Sequence, residues 1–190
     1  MNGNDYVEDD QKRSYNVSSQ NNWAYSCSGA FDSEIVNSSD YVKNTTYGIS
    51  NDIYVTARLC HVSLKYYGFC LRQGKYVVKL HFAEIVYSEG EDHSILGERV
   101  FDVYIQDERV QENFNPKVAA RGAKKDVILN YTALVKQDHT LRIHLYWAGK
   151  GSLFTPPGTN GPLISAISVT PGMKSPQYPF IVQFSVWFSC

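Results

Sequence analysis

Apolar and polar residues alternate along much of the chain, most clearly in two runs between residues 75 and 105. One face of the first run carries Tyr76, Val78, Leu80 and Phe82, and one face of the second carries Phe101, Val103 and Ile105. A period of two places successive side chains on opposite faces and predicts two half-buried β-strands. The polar segment 87–98 between them is too long for a tight hairpin. It is therefore predicted to be a surface loop, where binding residues are common.

The same alternation predicts several further short strands. They cover residues 53–59, 62–67, 110–114, 127–135, 141–147 and 163–169. No segment sustains a period of 3.6, and turns rich in Gly, Pro and Asn separate the runs. Short strands joined by such turns are typical of an all-β fold, either a β-sandwich or a jelly roll. The polar residues 1–22 and the Ser- and Asn-rich residues 26–50 are predicted to be irregular.

Residues 1–170 are predicted to form one domain, followed by a tail of residues 171–190. Pro171, Pro176 and Pro179 separate this tail from the domain. The apolar alternation in residues 180–188 fits either an edge strand or the translated end of a truncated gene model, and the second interpretation is favoured. This run is far shorter than the ~20 residues of a membrane-spanning helix, so the chain is not expected to contact a membrane.

The charge and composition of the chain argue against several classes of protein. A net charge of -1 over 190 residues gives no electrostatic basis for binding nucleic acid or an anionic membrane. The four cysteines form no CxxC pair, and neither a metal site nor a cofactor is expected. The 14 Tyr, 9 Phe and 3 Trp favour strands, and on a surface they also favour the stacking of sugar rings.

Four Asn-x-Ser/Thr sequons are candidate glycosylation sites, at Asn16, Asn37, Asn44 and Asn130. Their number favours a secreted or lumenal chain. The polar N-terminus, however, lacks the apolar segment of a signal peptide. Two interpretations therefore remain open: a cytosolic chain with accidental sequons, or a chain whose natural beginning is missing.

The sequence shows no enzyme signature, since it contains no HExxH, GxSxG, P-loop or GxGxxG motif. His81 and Glu84 are three residues apart on a predicted strand, so they face opposite sides and cannot chelate one metal ion. His81 is interpreted as a surface residue, and Glu84 as an ordinary residue at a strand end. Glycoside hydrolysis would need a carboxylate pair among Glu84, Glu98 and Asp102, and no spacing among them is diagnostic.

A non-catalytic binding module is favoured over an enzyme. Sites for neutral sugars combine aromatic platforms with amide or carboxylate groups that bond to hydroxyls. Candidates at the predicted loop edges are Tyr15, Trp23, Tyr25, Tyr54, Tyr87 and Asn160. For each aromatic residue, packing at the rim of a sheet is the alternative interpretation.

Several segments together resemble the malectin domain of plant leucine-rich-repeat receptor-like kinases. The segments are NNWAYSCSG (21–29), residues 54–71, residues 76–106 with HFAEI and RVFDVYIQ, NFN (113–115), LRIHLYWAGKGS (141–152) and GPLISAISV (161–169). The resemblance covers roughly residues 2–170. It implies a jelly-roll β-sandwich, extracellular or lumenal exposure and a non-catalytic, lectin-like role. The Ser/Thr kinase of such receptors is absent from this chain.

The chain departs from the family pattern in its first strand and its cysteines. Family members usually begin with a strand that carries an Asn-Cys-Gly-Gly motif, so the first strand is interpreted as missing and the chain as a fragment or a short paralogue. Cys70 stands where the family also has a cysteine, whereas Cys27 and Cys60 replace serines of relatives. A Cys60–Cys70 disulfide is the candidate pairing.

The resemblance also implies a sugar site, carried over from the animal lectin of this family. Its contact residues fall loosely on Tyr15, and then on Tyr54, Val86, Tyr87 and Asn160. Tyr54 and Tyr87 keep an aromatic platform, whereas Val86 loses one. Asn160 replaces an aspartate and loses a charge-assisted hydrogen bond, which is roughly twice as strong as a neutral one. The same ligand is expected to bind weakly, or a different ligand to bind.

Two functions follow from the resemblance and its departures. The favoured one is an extracellular module of a receptor-like kinase that binds a carbohydrate or cell-wall glycan for perception or signalling. The alternative is a protein-interaction module that contacts a peptide or a co-receptor ectodomain without binding sugar. A glycoside hydrolase is a third and minor hypothesis.

Overall fold

The computed structural model describes residues 7–9, 13–18, 21–29, 41–45, 48–49, 51–87, 99–151, 161–172 and 184–187. Within them the chain forms fourteen β-strands, a short 3-10 helix (Asp52–Tyr54) and one short α-helix, α1 (Pro116–Ala119). The strands are β1 (Val7–Glu8), β2 (Tyr15–Ser18), β3 (Trp23–Ser28), β4 (Val42–Asn44), β5 (Thr56–Leu59), β6 (Ser63–Gly68), β7 (Gly74–Ala83), β8 (Arg99–Ile105), β9 (Glu108–Phe114), β10 (Asp126–Val135), β11 (Leu141–Gly151), β12 (Leu163–Ile164), β13 (Ala166–Pro171) and β14 (Phe184–Trp187).

These strands build three sheets. A five-stranded sheet has the order β1-β14-β13-β7-β10, and a six-stranded sheet has the order β2-β3-β6-β11-β8-β9. The third sheet, β12-β5-β4, is smaller. All pairings are antiparallel except that of β1 with β14. The predicted all-β sandwich fold is therefore confirmed.

The main core lies between the five-stranded and six-stranded sheets. It receives the inward face of β7 and the inward faces of β8 and β11, as the alternation predicted: Val78, Leu80, Phe82, Phe101, Val103, Leu145 and others. A second, smaller core joins the three-stranded sheet to the outer side of β7 and contains Tyr54, Ala57, Leu59, Ala83, Ile85 and Leu163. The end of β7 is consequently buried on both faces.

The predicted strand 53–59 is only partly correct. Residues 52–54 form the 3-10 helix, and the strand begins at Thr56. The side chain of Asn51 accepts a hydrogen bond from the backbone N–H of Ile53, which caps this helix. Irregular structure was also predicted for residues 1–22 and 26–50, yet β1, β2 and β4 lie in those ranges. Their shortness explains why alternation did not reveal them.

A fully buried ion pair holds the N-terminal segment in the sandwich. The Arg58 guanidinium bonds both oxygens of the Asp9 carboxylate, with N–O distances of 2.5 and 2.7 Å. The hydroxyl of Tyr66 also donates to Asp9, and the Arg58 guanidinium lies 3.8 Å from the ring centroid of Tyr25. A segment that looks polar in the sequence thus supplies a core residue.

Part of the C-terminal tail also joins the sandwich. β14 pairs with β13 through residues 184–187 and with β1 on its other side. Pro171 is also the last residue of β13, so parts of the predicted tail of residues 171–190 lie in the five-stranded sheet, and the domain boundary at residue 170 stays a prediction. The apolar run that follows Pro176 and Pro179 in the sequence thus adds a strand to the sheet.

The disulfide differs from the expected one, because Cys60 bonds to Cys27 and not to Cys70. The Cα atoms of Cys27 and Cys60 lie 5.4 Å apart, whereas Cys70 is an exposed free cysteine. Cys60 precedes the six-residue strand β6 and Cys70 follows it. A strand of this length spans about 20 Å, and a disulfide needs Cα atoms about 4.4–6.8 Å apart. The expected Cys60–Cys70 pair is therefore wrong.

Replacing both bonded cysteines in a Cys27→Ser/Cys60→Ser variant should lower the free energy of unfolding. The bond closes a loop with a sequence separation of 33 residues, and its loss should cost about 3–4 kcal/mol through the added freedom of the unfolded chain. Denaturant unfolding measures this change. Cys70→Ser is the matched control and should stay within about 0.5 kcal/mol of the unsubstituted protein. A non-reduced peptide map that linked Cys60 to Cys70 would contradict this assignment.

Candidate functional site

Three of the sugar-site residues implied by the resemblance lie in one small cluster. Tyr54 belongs to the smaller core, and Val86 packs against it. Tyr87 follows directly, and its ring lies 5.1 Å from the Arg99 guanidinium. Arg99 in turn donates a hydrogen bond to the carbonyl oxygen of Gly161. The tertiary structure thus brings residues 54, 86, 87 and 161 to the same end of the sandwich, although they are far apart in sequence.

The aromatic rings of this cluster are not open to a ligand in the described structure. Tyr54 is 2% exposed and Tyr87 is 7% exposed. The hydroxyl of Tyr54 lies 3.0 Å from Nδ1 of His81, and the Tyr87 backbone N–H donates to Oε1 of Glu84. Their role as sugar contacts stays a prediction, and neither ring presents a stacking face to solvent here.

The remaining predicted contacts are placed differently. Tyr15 is 67% exposed on β2, at the edge of the six-stranded sheet. Asn160 lies outside the described residues, and only its neighbour Gly161 can be placed. Trp23 and Tyr25, also named as aromatic candidates, are buried in the main core. The five predicted contact positions therefore do not form one open site among the described residues.

Glu84 is the centre of a buried polar network, which the sequence did not reveal. Oε2 of Glu84 lies 2.7 Å from Nε of Arg99, and both side chains are almost fully buried. Oε1 accepts hydrogen bonds from the backbone N–H groups of Val86 and Tyr87 at 3.0 and 3.2 Å. This network joins the end of β7, the start of β8 and Gly161. It fixes both ends of the loop that carries the predicted site.

His81 is also buried, in contrast to the prediction of a surface residue. Cross-strand pairing places it beside Ala166, and the small sheet covers that side of β7. Burial, with a smaller contribution from Lys79, lowers the pKa of His81 to about 4. The imidazole is therefore neutral near pH 7. It can serve as the hydrogen-bonding partner of the Tyr54 hydroxyl.

The carboxylates considered for glycoside hydrolysis are held by different arginines where the structure describes them. Glu84 is paired with Arg99 next to β7. Asp102 lies on the outward face of β8, where it is paired with Arg109. Glu98 lies outside the described residues.

Aromatic side chains instead gather on the outward face of the six-stranded sheet. Cross-strand registers place Tyr15, Ser26, Lys65, His144, Tyr104 and Arg109 in one row from edge to edge. We call this surface the aromatic face, and its aromatic members are Tyr15, Tyr67, Tyr104, His144 and Tyr146. For Tyr67, Tyr104, His144 and Tyr146 the signal was present in the sequence, because these are outward positions of the alternating runs, whereas Tyr15 lies in a segment that was predicted to be irregular.

The middle of the aromatic face is ordered by ring contacts. The His144 ring lies 5.5 Å from the Tyr104 ring at an interplanar angle of 29°, and 5.5 Å from the Tyr146 ring. Nε2 of His144 lies 2.8 Å from the hydroxyl oxygen of Ser63. Burial, then Lys65, lowers the pKa of His144. The rings therefore form a fixed platform of largely neutral groups.

A groove of about 420 Å³ opens beside this platform, between β8, β9 and β11. Its lining includes aromatic and charged groups, among them Asp102, Tyr104, Arg109, Glu112, Asn113, Tyr146 and Lys150. Asp102 is almost fully buried and accepts hydrogen bonds from the Asn113 backbone N–H at 2.8 Å and from Arg109 at 3.3 Å. This volume lies within the range of ligand pockets.

Breaking the buried Glu84–Arg99 pair should destabilise the domain strongly. Arg99→Met leaves the Glu84 carboxylate buried without its cation, which should cost about 3–5 kcal/mol of unfolding free energy. Arg142→Met is the control, because Arg142 pairs with Asp107 and Asp138 at the surface and such pairs contribute about 0–1 kcal/mol. Denaturant unfolding compares the two variants. Equal losses would show that the Glu84–Arg99 network does not hold this end of the sandwich.

Stability should fall as the pH decreases because of His81. The unfolded chain binds a proton at His81 near pH 6.5, whereas the folded chain does so near pH 4. The unfolded state therefore binds more protons between these values, and the unfolding free energy should drop there by up to about 3 kcal/mol.

The His81→Gln variant isolates this contribution, because glutamine does not titrate and can still bond to Tyr54. Urea unfolding at about pH 7 and about pH 4.5 should show a smaller decrease in the variant than in the unsubstituted protein. The same decrease in both proteins would assign the pH dependence to other groups.

Comparisons with known proteins agree with this architecture. The model of the malectin domain family matches residues 1–167. Two probable LRR receptor-like serine/threonine-protein kinases of Arabidopsis thaliana are 41% and 43% identical over 184 and 170 residues. These alignments cover 91% and 86% of this chain, but only 18% and 17% of the relatives.

Solved structures are similar in fold at low sequence identity. A crystal structure of the plant receptor-like kinase ANX1 has a TM-score of 0.53 and 15% identity, and the match covers 73% of this chain and 39% of that one. A crystal structure of the ANX1 ectodomain from Arabidopsis thaliana has a TM-score of 0.52 and 15% identity, covering 67% of this chain and 37% of that one. At these identities the likeness concerns the fold alone.

The chain spans less than a fifth of the length of these curated relatives. Within the part of the chain that the structure describes, no helix has both the length and the apolar character needed to cross a bilayer. The sandwich fold, the match over residues 1–167 and the identity of about 40% to the kinases converge on one assignment. The chain belongs to the malectin domain family and is a homologue of plant LRR receptor-like kinases.

Proposed function

We propose that this chain is a ligand-recognition module from the extracellular part of a receptor-like kinase, and that it binds a carbohydrate without catalysing a reaction. The observation that carries this proposal is the aromatic face, where Tyr15, Tyr104 and Tyr146 are available to solvent at least in part. Sugar rings have apolar faces that pack on aromatic rings, and their hydroxyls bond to polar groups beside those rings. The outward face of the six-stranded sheet offers both.

The dimensions of the aromatic face favour a chain-like ligand over a single sugar. Six strands separated by about 4.8 Å give a width of about 24 Å from β2 to β9. Tyr15 lies at one edge, and Tyr104 lies on the strand next to the other edge. A ligand that contacted both would have to be an extended oligomer, as a cell-wall glycan is.

The proposal of binding without catalysis rests on the state of the carboxylates. Among the described residues, Glu84 is held by a buried arginine, and Asp102 is held by Arg109 and a backbone N–H. Glycosidases need two carboxylates that flank one bond, about 5–10 Å apart. Glu84 instead follows the end of β7, whereas Asp102 lies on β8 of the six-stranded sheet, and each is paired with a different arginine.

Extracellular exposure of the module is part of the same proposal. Two sequon asparagines, Asn44 and Asn130, are exposed on strands, and Asn16 is half-buried. Asn37 lies outside the described residues. We expect glycans on Asn44 and Asn130, because exposed sequons in a secreted chain are accessible to modification.

A second candidate function is recognition of a protein, either a peptide or a co-receptor ectodomain. The burial of Tyr54 and Tyr87 favours this alternative, since it closes the sugar site implied by the animal lectin. The aromatic face could also receive a peptide, because tyrosine-rich surfaces are common in protein interfaces. Binding experiments separate the two functions.

The test is a glycan array followed by calorimetric titration of the folded, secreted domain. We expect binding to at least one oligosaccharide, and a loss of about tenfold or more when the Tyr104→Ala and Tyr146→Ala changes are combined, because stacking area is lost. Leu134→Ala is the control, since Leu134 is exposed on β10 of the other sheet. Absence of binding to every glycan, together with capture of a defined peptide or ectodomain, would overturn this proposal in favour of the second function.

A further inference from the structure

The groove between β8, β9 and β11 differs from the rest of the aromatic face because two strand irregularities shape it. The register of β8 with β9 shifts around Val103, and that of β11 with β8 shifts between Trp147 and Gly151. Gly149 lies at the second shift with φ +76°, in the left-handed region that favours glycine. Bulges of this kind re-aim side chains and often lie beside binding sites.

Asp102 occupies the floor of this groove as a fixed acceptor. The Asn113 backbone N–H, displaced from the ladder by the first shift, donates to Oδ1, and Arg109 donates to Oδ2. Asp102 is 3% exposed but lines the groove, so a ligand in the groove would reach only the edge of its carboxylate. An ionised carboxylate offers about four acceptor positions, and these two hydrogen bonds occupy two of them. Ligand hydroxyls are donors that such positions accept.

Tyr146 supplies an apolar surface directly beside this acceptor. It is the cross-strand partner of Asp102 and is 41% exposed. Cross-strand partners have Cβ atoms about 4.5–5.5 Å apart. A ring and a carboxylate at this separation can engage the flat face and the edge of one sugar ring at the same time.

The charges in the groove are balanced. Asp102 and Glu112 are negative, whereas Arg109 and Lys150 are positive. Arg109 is already within ion-pair distance of both carboxylates, at 3.3 and 3.5 Å. With two carboxylates and two cations in its lining, the groove has no net positive charge that would attract an anionic ligand.

We propose that this groove is a binding subsite for a neutral, hydroxyl-rich sugar unit, which stacks on Tyr146 and donates hydroxyl hydrogen bonds to Asp102. The inference rests on the proposed carbohydrate function and adds the place and the ligand class. Acidic sugars such as uronates are disfavoured at this subsite. The buried cluster of Tyr54 and Tyr87 takes no part in it.

Two variants test the subsite. Asp102→Asn keeps the shape and the acceptor for the Asn113 N–H but removes the charge, and Tyr146→Ala removes the ring. Each should weaken binding of neutral gluco-, manno- or xylo-hexasaccharides by about tenfold in calorimetric titration, as expected when a charge-assisted hydrogen bond or a stacking surface is lost. Ile128→Ala is the matched control, because Ile128 is also 41% exposed but lies on β10 of the other sheet.

Hexagalacturonate is the acidic counterpart of these probes. We expect it to bind more weakly than the best neutral hexasaccharide, and we expect neutral binding to change little between about 50 mM and about 500 mM salt. Unchanged circular dichroism and thermal unfolding identify variants that remain folded. Tyr146→Phe provides a second folded variant that should retain stacking and most of the affinity.

The outcomes distinguish this inference from the proposed function. No binding of any glycan by the unsubstituted domain overturns both. Neutral glycan binding that is unaffected by Asp102→Asn and Tyr146→Ala overturns the subsite and leaves the carbohydrate function in place. Preferential, salt-sensitive binding of hexagalacturonate overturns the neutral ligand class, and capture of a peptide that Tyr146→Ala abolishes assigns the groove to protein recognition.

Discussion

Strand β7 is buried on both faces near its C-terminal end, and this burial determines how the polar groups at that end of the sandwich must be paired. Its inner face packs into the main core through Leu80 and Phe82, and its outer face lies beneath the three-stranded sheet. Polar groups in such a place lose contact with water and need partners within the protein. His81 is accordingly bonded to Tyr54, and Glu84 is bonded to Arg99 and to two backbone N–H groups. The segment that follows β7 therefore begins at residues that are rigidly held and shielded from water.

The same packing decides which aromatic residues can meet a ligand. The small sheet covers the tyrosine at position 54, which the family resemblance singled out, whereas no further layer of described residues covers the outward face of the six-stranded sheet. Aromatic rings occur in both places, so composition could not separate them. The difference is that Tyr54 fills a core between two layers, while Tyr104, His144 and Tyr146 form a surface. A recognition role for this domain is for that reason argued from the sheet face and its groove.

Much of the fold was predictable, and the errors have a common cause. Alternation located the main strands and their inward faces, because a period of two is a local property of a strand. The partners of Asp9 and of β14 were not predicted, and the partner of Cys60 was predicted wrongly. In each case the partner is distant in the sequence. Asp9 and Arg58 are 49 positions apart, and the disulfide joins cysteines separated by 33 positions. The sequence likewise indicated only part of the candidate groove. It showed which residues of β8 and β11 point outward, but not that these strands are neighbours.

Local alternation and specific segments were sufficient to predict the all-β class, the positions of the longer strands and membership of the malectin family. The strand order, the disulfide partner, the burial of Tyr54 and Tyr87, and the position of Tyr146 beside Asp102 became visible in three dimensions. The physical reason is that a sequence pattern shows which side of a strand is apolar but not what lies against that side. Exposure is a property of packing between strands that are distant in the chain, and ligand recognition depends on exposure.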